Sequence, residues 1–346
     1  MTVPYKIISN KADYILDIAW DPSNFCNFKC RYCFEDSNSG THRNPEDLDL
    51  IVDNFKYLMD HYYSTLGKTK FHFFVAGGEP TLWKDLGPFI EKIKTGHDVY
   101  FSLISNGSRT IRWWKEYAHL IDNAHLTHHV AQGDIDHIIQ VADILHESGT
   151  KTTVKVLMDP LHWDQGIKDI EYMKTHSKQS WFIVVAEVIE QDQMKNKIAV
   201  NVPRYSDTQL KYLKKDIKRI PGIVWFWKNK HLLKDEIKKW DSKAYLEDGT
   251  TIKARPGTYF INGWNNFTGW NCNIGLDRIY INWAGKISGS CGTIPFSKTD
   301  YYNILDKYFK EKFNPSMIPT VCSKQGCWCS PENHVTKYKS ISIEPI

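Results

Sequence analysis

Over residues 14–188 the chain alternates short runs of β-branched and aromatic residues with longer segments of helical period. A strand–helix–strand repeat calls for parallel strands joined by helical crossovers, so this alternation limits the fold more than any other feature. Residues 14–20 read as the first strand. Leu48, Ile51, Val52, Phe55, Leu58 and Met59 then recur on one helical face, behind Asn44 as a cap and Pro45 at the first helical position. Residues 71–76 are the second strand. Leu82, Leu86, Phe89, Ile90 and Ile93 mark the second helix, with Thr81 as its cap. Strands are expected over 99–104, 125–130, 152–158 and 181–188. The helices between them fall over 110–122, around Ile135, Ile138, Ile139, Ala142 and Leu145 up to Gly149, and over 163–176. Six such units are fewer than the eight of a closed barrel.

The pattern changes after residue 188. Ser206 with Gln209 has the form of a capping box, and Leu210, Leu213, Ile217 and Ile220 make one apolar helix face. Asp248-Gly249 is a hairpin turn between 243–247 and 250–254, and Ala284-Gly285 a second one between 276–283 and 286–290. The expected division is a core over residues 1–190, a connecting helical and hairpin region over 191–259, and a small cysteine-rich α+β extension over 260–346.

Three cysteines follow the first strand: Cys26, Cys30 and Cys33, spaced C-x3-C-x2-C. Thiolates ligate iron–sulfur clusters, and a [4Fe–4S] cube needs four ligands. Three thiolates leave one iron open to a chelating small molecule. A zinc site would call for a second C-x2-C or a His pair, and His42 and His61 are too loosely spaced to supply one. The second strand ends in Gly77-Gly78-Glu79-Pro80. Parallel α/β folds bind ligands at the C-terminal ends of their strands. The two glycines permit close backbone approach, and Glu79 can accept a hydrogen bond from a ligand ammonium. The third strand runs into Ser105-Asn106-Gly107. The next ends in His128 and His129, which either face a ligand or are hydrogen-bonded core histidines. Lys155, flanked by apolar Val154 and Val156, and Glu187 at the end of the sixth strand carry no assigned role.

Taken together, these residues resemble the radical S-adenosylmethionine (SAM) enzymes. The hallmark of that family is this cysteine spacing with an aromatic residue before the third cysteine, here Tyr32. The resemblance implies a partial (β/α)6 barrel and a [4Fe–4S] cluster on Cys26, Cys30 and Cys33. It implies that the amino and carboxylate groups of SAM chelate the open iron. One electron then cleaves SAM to a 5′-deoxyadenosyl radical, which abstracts hydrogen from a substrate. The same resemblance assigns Gly77, Gly78, Glu79 and Pro80 to the methionine amino group, and Ser105 and Asn106 to the ribose or carboxylate. His128-His129 stand where relatives often carry a Ser-Leu pattern. An electron donor such as flavodoxin or ferredoxin is the implied partner.

Five more cysteines lie near the C-terminus: Cys272, Cys291, Cys322, Cys327 and Cys329. Their arrangement around a hairpin is similar to the twitch and SPASM extensions, although the first hairpin spacing and the C-x4-C-x-C element depart from those patterns. Five cysteines suit one auxiliary [4Fe–4S] cluster with four ligands and one thiol to spare; two clusters would need eight. The alternative is a zinc staple that includes His334. An auxiliary cluster would accept an electron, bind substrate through an open iron, or brace the tail.

With 42% hydrophobic and 24% charged residues, the chain has the composition of a globular protein. It has no apolar stretch of membrane-spanning length and no basic-then-apolar signal pattern. Clustered rather than scattered cysteines suit a reducing compartment, so a cytoplasmic, monomeric or weakly associating enzyme is expected. Most relatives with such extensions modify peptides or proteins, which puts a peptide substrate first. Only 25 residues precede Cys26, so no N-terminal recognition domain is expected, and a leader peptide would dock elsewhere, for example on an exposed strand edge. The alternative is a nucleotide or nucleic-acid base. Residues 211–239 carry ten Lys/Arg against three acidic residues, interleaved with Trp225, Phe226 and Trp227. The same lysines also fit the solvated face of a helix. A small-molecule substrate is a third class, and a non-catalytic electron-transfer or binding protein a fourth. The joint presence of the three cysteines and the Gly77–Pro80 motif weighs against the fourth.

Overall fold

The first strand, β1 (Pro4–Ser9), is followed by β2 (Ile15–Trp20), and from β2 the chain enters the expected alternation. Helix α1 (Leu48–Leu66) leads to β3 (Lys70–Val75), α2 (Leu86–Lys94) to β4 (Asp98–Ser105), and α3 (Ile111–Tyr117) to β5 (Asn123–His129). Helix α4 (Ile135–Glu147) leads to β6 (Lys151–Met158), and α5 (Trp163–His176) to β7 (Phe182–Glu187). The computed structural model describes residues 2–10, 13–33, 38–41, 45–178, 181–188, 205–214, 223–226, 242–254, 258–259, 262–289, 302–323, 326–327 and 335–339. Asn44, Ile217, Ile220, Trp227, Cys291, Cys329, His334 and most of the basic 211–239 segment lie outside these residues, as do the side chains of Glu187, Trp225 and Phe226.

The chain divides into two compact units: Met1–Ala19, Asp53–His72 and His231–Ile346 in one, Trp20–Val52 and Phe73–Lys230 in the other. In the second unit the strand order is β3-β4-β5-β6-β7-β8, where β8 is Ile223–Phe226. The pairs β4/β5, β5/β6 and β6/β7 are parallel, so this is an α/β fold built on a parallel sheet; β8 runs antiparallel to β7. Helix α4 packs on β5 and β6, and α5 on β6. The residues that meet there are fully buried: Ala124, Leu126, Val154 and Val156 from the strands, and Val141, Ala142, Leu145 and Ile170 from the helices. Each large aliphatic side chain buried in this way contributes roughly 1.5–3 kcal/mol. Near the start of the sheet, Trp20 packs edge-on to Trp83 at 5.7 Å and against Phe89 at 5.0 Å between ring centroids.

Two helix boundaries differ from the sequence expectation. Thr81 does not cap the second helix. Glu79 instead caps a short 3-10 turn, Pro80–Leu82, and α2 starts only at Leu86. The Thr81 hydroxyl donates to the Glu79 carboxylate, so it is not available to the helix. The third helix ends at Tyr117 and tightens into a 3-10 turn, Ala118–Leu120. The capping box does form at α6 (Asp207–Lys214): Ser206 N donates to Gln209 Oε1 at 2.8 Å, and Gln209 N to Ser206 Oγ at 3.3 Å.

The other unit contains an antiparallel sheet ordered β10-β9-β1-β15-β11-β14. Its strands are β9 (Ser242–Leu246), β10 (Thr251–Ala254), β11 (Asn271–Cys272), β14 (Thr320–Val321) and β15 (Lys337–Tyr338), together with β1. The expected Asp248-Gly249 turn joins β9 to β10, with Asp248 Oδ1 accepting from Thr250 N at 2.9 Å. The second expected hairpin is β12 (Arg278–Ile281) with β13 (Ile287–Ser288). Ile7, Ala244, Ala254, Tyr259, Phe267 and Trp270 form this unit's apolar core.

Candidate functional site

The chain leaves β2 at Trp20 and crosses the C-terminal ends of the parallel strands as the cysteine loop. Backbone bonds fix its path: Ala76 N donates to Trp20 O at 3.0 Å, and Glu79 N to Phe25 O at 2.8 Å. Buried Asn24 braces the loop from outside, with its amide donating to Ser39 Oγ at 2.8 Å and Thr41 Oγ1 at 2.9 Å. The fit leaves no room for side chains at the two glycines. A Cβ on Gly77 would stand 2.5 Å from Asp21 Cβ, and one on Gly78 2.3 Å from Phe25 O. Both glycines also have positive φ, +78° and +53°. Their direct work in this structure is to admit the loop that carries the thiols.

Cys26 is half-buried, Cys30 buried and Cys33 exposed, and none of the three is in a disulfide. Cys26 Sγ accepts from Phe28 N at 3.4 Å and lies 3.8 Å from Asn106 Nδ2. Cys30 Sγ lies 3.2 Å from His129 Nδ1 and accepts from Gln132 Nε2 at 3.3 Å. Burial pushes the Cys26 thiol up. Burial first, then the neighbouring thiols Cys33 and Cys26, push the Cys30 thiol up to about 11.

Glu79 sits at the centre of the adjacent polar network and is 1% exposed. Its Oε1 accepts from Thr81 N at 3.0 Å, Thr81 Oγ1 at 2.6 Å and Ser105 Oγ at 2.7 Å, and its Oε2 from Asn106 N at 2.6 Å. Burial raises its pKa in spite of these donors. The carboxylate therefore ties the end of β3 to the end of β4. Asn106 extends the tie: its Nδ2 donates to Asn27 Oδ1 at 3.0 Å, inside the cysteine loop.

On the far side, the end of β5 holds the loop. The Tyr32 hydroxyl lies 2.9 Å from His129 Nδ1, and the two rings stack 5.9 Å apart. The turn after β5 supplies Gln132, whose Oε1 accepts from Lys29 N at 2.8 Å. Burial first, then the nearby His128 and Lys155, pull the His129 imidazole down to about 4, so it is neutral near pH 7. His128 points the other way and is a core histidine, with Nε2 2.7 Å from Asp169 Oδ2 on α5. Arg31 pairs with buried Asp159 just after β6, with Nε donating to Oδ2 at 3.2 Å. The structure thus brings Cys26, Cys30, Tyr32, Gly77, Gly78, Glu79, Ser105 and Asn106 into one hydrogen-bonded neighbourhood. It also brings His129, one of the two histidines singled out in the sequence, to the loop. It adds Asn27, Gln132 and Asp159, whose sequence signal was position alone, in the cysteine loop and just after strands β5 and β6.

The donor set fits an iron–sulfur cluster. Soft thiols on one loop suit iron–sulfur ligation, and their mutual repulsion is relieved when a bound cation holds them as thiolates. Among the described residues no three His, Cys, Asp or Glu side chains converge on a common metal position, so the loop would have to turn its thiols inward to ligate one. In the other unit, Cys322 and Cys327 pack in the core beside Phe267 and Trp270, while Cys272 sits in a separate cluster with Ile274 and Val335. Cys272 and Cys322 lie on neighbouring strand segments, with Cys272 opposite Thr320.

Residues 20–162 match the family model of the radical SAM superfamily. That stretch carries the cysteine loop and the strand ends around it, and it is similar to the radical SAM domain. Three curated relatives are similar to part of the chain. An S-adenosylmethionine-dependent nucleotide dehydratase of a Thermoplasmatales archaeon (strain ISO4-H5) is 27% identical over 151 residues, covering 40% of this chain and 51% of the relative. A GTP 3′,8-cyclase of Pasteurella multocida (strain Pm70) is 29% identical over 127 residues, covering 33% and 36%. A second nucleotide dehydratase, from Fibrobacter sp. (strain UWH6), is 32% identical over 109 residues, covering 30% and 31%. The chain thus spans about half the length of the first relative and about a third of the other two. Among solved structures, histidine-tagged anSMEcpe with bound AdoMet superposes with a TM-score of 0.51 at 15% identity, over 88% of this chain and 82% of that one. That likeness is one of fold. No described helix of the chain is long and apolar enough to cross a membrane.

Proposed function

We propose that this chain is a radical SAM enzyme acting on a nucleotide. The first half rests on one observation: a loop with three cysteine thiols is hydrogen-bonded to the ends of three strands, in a stretch that matches the radical SAM family model. When bound, a [4Fe–4S] cluster and SAM would supply one-electron cleavage of SAM and a radical able to take a substrate hydrogen. The chain's own residues perform the remaining tasks. Cys26, Cys30 and Cys33 would hold the cluster. Gln132 and Asn106 present N–H donors to two of those sulfurs, and such contacts tune cluster potential. Pro80, Ser105 and Asn106 lie at the strand ends where SAM would be held. Glu79 fixes that rim rather than offering a free carboxylate.

The nucleotide half rests on the relatives, whose names specify nucleotide chemistry in all three cases. The peptide expectation rested on the C-terminal cysteines, and none of these relatives supports it. An auxiliary cluster on four of Cys272, Cys291, Cys322, Cys327 and Cys329 belongs to the same proposal, as does a small electron donor such as flavodoxin or ferredoxin.

The test is anaerobic reconstitution followed by SAM and a reductant, with 5′-deoxyadenosine release measured against added nucleoside triphosphates, peptides and DNA. Release stimulated by a nucleotide is the expected result. Stimulation by a peptide alone would overturn the substrate half, and no release with any addition would overturn the whole.

A further inference from the structure

A parallel sheet covered by helices reads as near-continuous apolar runs, because both of its faces are buried. Strand β5 departs from that rule: Asn123-Ala124-His125-Leu126-Thr127-His128-His129. Ala124, Leu126 and His128 are buried, and His128 bonds Asp169 on a helix, so this set faces the helices. Successive strand residues point to opposite faces, so His125, Thr127 and His129 share the other face and are only half-buried there. Residues paired across strands lie on the same face. Thr127 pairs with Lys155 of β6, which pairs with Val184 of β7. His129 pairs with Leu157, one step of two residues closer to the strand ends. Lys155 therefore stands mid-sheet on the face that carries His129, and His129 touches Cys30 and Tyr32 of the cysteine loop.

Burial pulls the Lys155 ammonium below the ordinary lysine range. Among the described residues it has no carboxylate partner and no hydrogen bond, and neither does the Thr127 hydroxyl beside it. The paired positions named here bring no acidic side chain to that face. Lys155 is half-buried; an ammonium partly withdrawn from water without a counter-ion is costly, and such groups concentrate where a ligand supplies the opposite charge.

We propose that Lys155, with Thr127 beside it, receives a phosphate of the nucleotide substrate and so sets the substrate's depth beneath the SAM rim. The ammonium supplies the charge, and the hydroxyl donates one further hydrogen bond to a phosphate oxygen. This assignment rests on the nucleotide reading above.

The experiment uses the full chain, reconstituted anaerobically with SAM present. Equilibrium dialysis compares GTP and CTP with guanosine and cytidine for wild type, Lys155→Met and Lys155→Arg. Wild type is expected to prefer the triphosphates. Lys155→Met should weaken triphosphate binding at least tenfold and leave nucleoside binding within about threefold, while Lys155→Arg retains most of the preference. Lys155→Met should also melt no lower than wild type, because methionine keeps the stem and removes an unpaired charge that is partly withdrawn from water. Triphosphate binding by Lys155→Met equal to wild type overturns the assignment and leaves the nucleotide reading standing. Absence of any triphosphate binding by wild type overturns both. A lowered melting temperature in Lys155→Met, with nucleoside binding lost in proportion, would mark a structural lysine and also overturns the assignment.

Discussion

Replacing Gly78 with alanine should loosen the cysteine loop, by an amount that follows from two separable costs. Gly78 sits at φ +53°, and placing an L side chain there costs about 1–2 kcal/mol. A Cβ would also lie 2.3 Å from Phe25 O and 2.8 Å from Phe25 N and C. These are backbone atoms and cannot rotate aside, so relief requires shifting the loop, at the about 1–3 kcal/mol typical of overpacking. Gly96 isolates the first cost: its φ is +91°, yet nothing lies within 4 Å of its would-be Cβ. The difference between Gly78→Ala and Gly96→Ala is therefore the price of close approach alone.

The assay is amide hydrogen exchange at Glu79, whose N–H donates to the same Phe25 carbonyl at 2.8 Å. At 1.4 kcal/mol per tenfold, a penalty of about 3 kcal/mol concentrated there speeds Glu79 exchange by about a hundredfold in Gly78→Ala. Gly96→Ala should leave Glu79 protection unchanged, because it lies in the turn before β4 and touches none of these atoms. Iron uptake on reconstitution should fall in Gly78→Ala alone. Equal Glu79 protection in the two variants would refute the claim that the glycine is there to admit the loop.

Cys30→Ala should lower iron content by about four atoms per chain, abolish 5′-deoxyadenosine formation, and leave whatever cluster the C-terminal cysteines hold; unchanged iron would contradict the ligand assignment. Arg31→Ala and Asp159→Asn should show a coupling energy of about 1–3 kcal/mol in a double-mutant cycle followed by urea unfolding, because Asp159 is 3% exposed and Arg31 only partly so; additive effects would mean the pair does not anchor the loop. Lys155 predicts a pH signature. Its folded pKa lies below the ordinary 10.5, so between the two values the unfolded chain binds the proton that the folded chain has released. Stability from this group therefore rises with pH through that window and is lowest below it. The melting-temperature gap between Lys155→Met and wild type should be widest near neutral pH and close as pH nears 10.5; a gap independent of pH would show a solvated ammonium.

Much of this was legible in the residues because it is local. The period of 2 in the strands and 3.6 in the helices places β2 to β7 within a residue or two, and Ser206 and Gln209 form their capping box as written. The role of Glu79 was not legible, because two of its four donors belong to residues that only the fold brings near: Ser105 and Asn106 lie 26 and 27 residues away. His128 and His129 look alike in sequence, and the one-residue alternation of β5 sends one into the helical core and the other to the cysteine loop. The partners of Cys30 were equally hidden, since His129 and Gln132 are 99 and 102 residues distant.

These distant contacts determine how a cluster would be held. A loop of three thiols has many conformations, and cluster binding must overcome the entropy of ordering it. Here the ordering is shared between two anchors. One runs from Glu79 through the backbone of Asn106 to Asn27 and Cys26. The other runs from the end of β5 through His129 and Gln132 to Cys30 and Lys29. Cys33 is the exposed thiol of the three. Two ligand positions are thus set by the sheet, and the third stays accessible at the surface. It follows that Asn106→Ala should disturb Cys26 first and Gln132→Ala Cys30 first, which cysteine-specific alkylation rates would separate. Identical alkylation patterns in the two variants would mean that the loop behaves as a single unit rather than as two tethered ends.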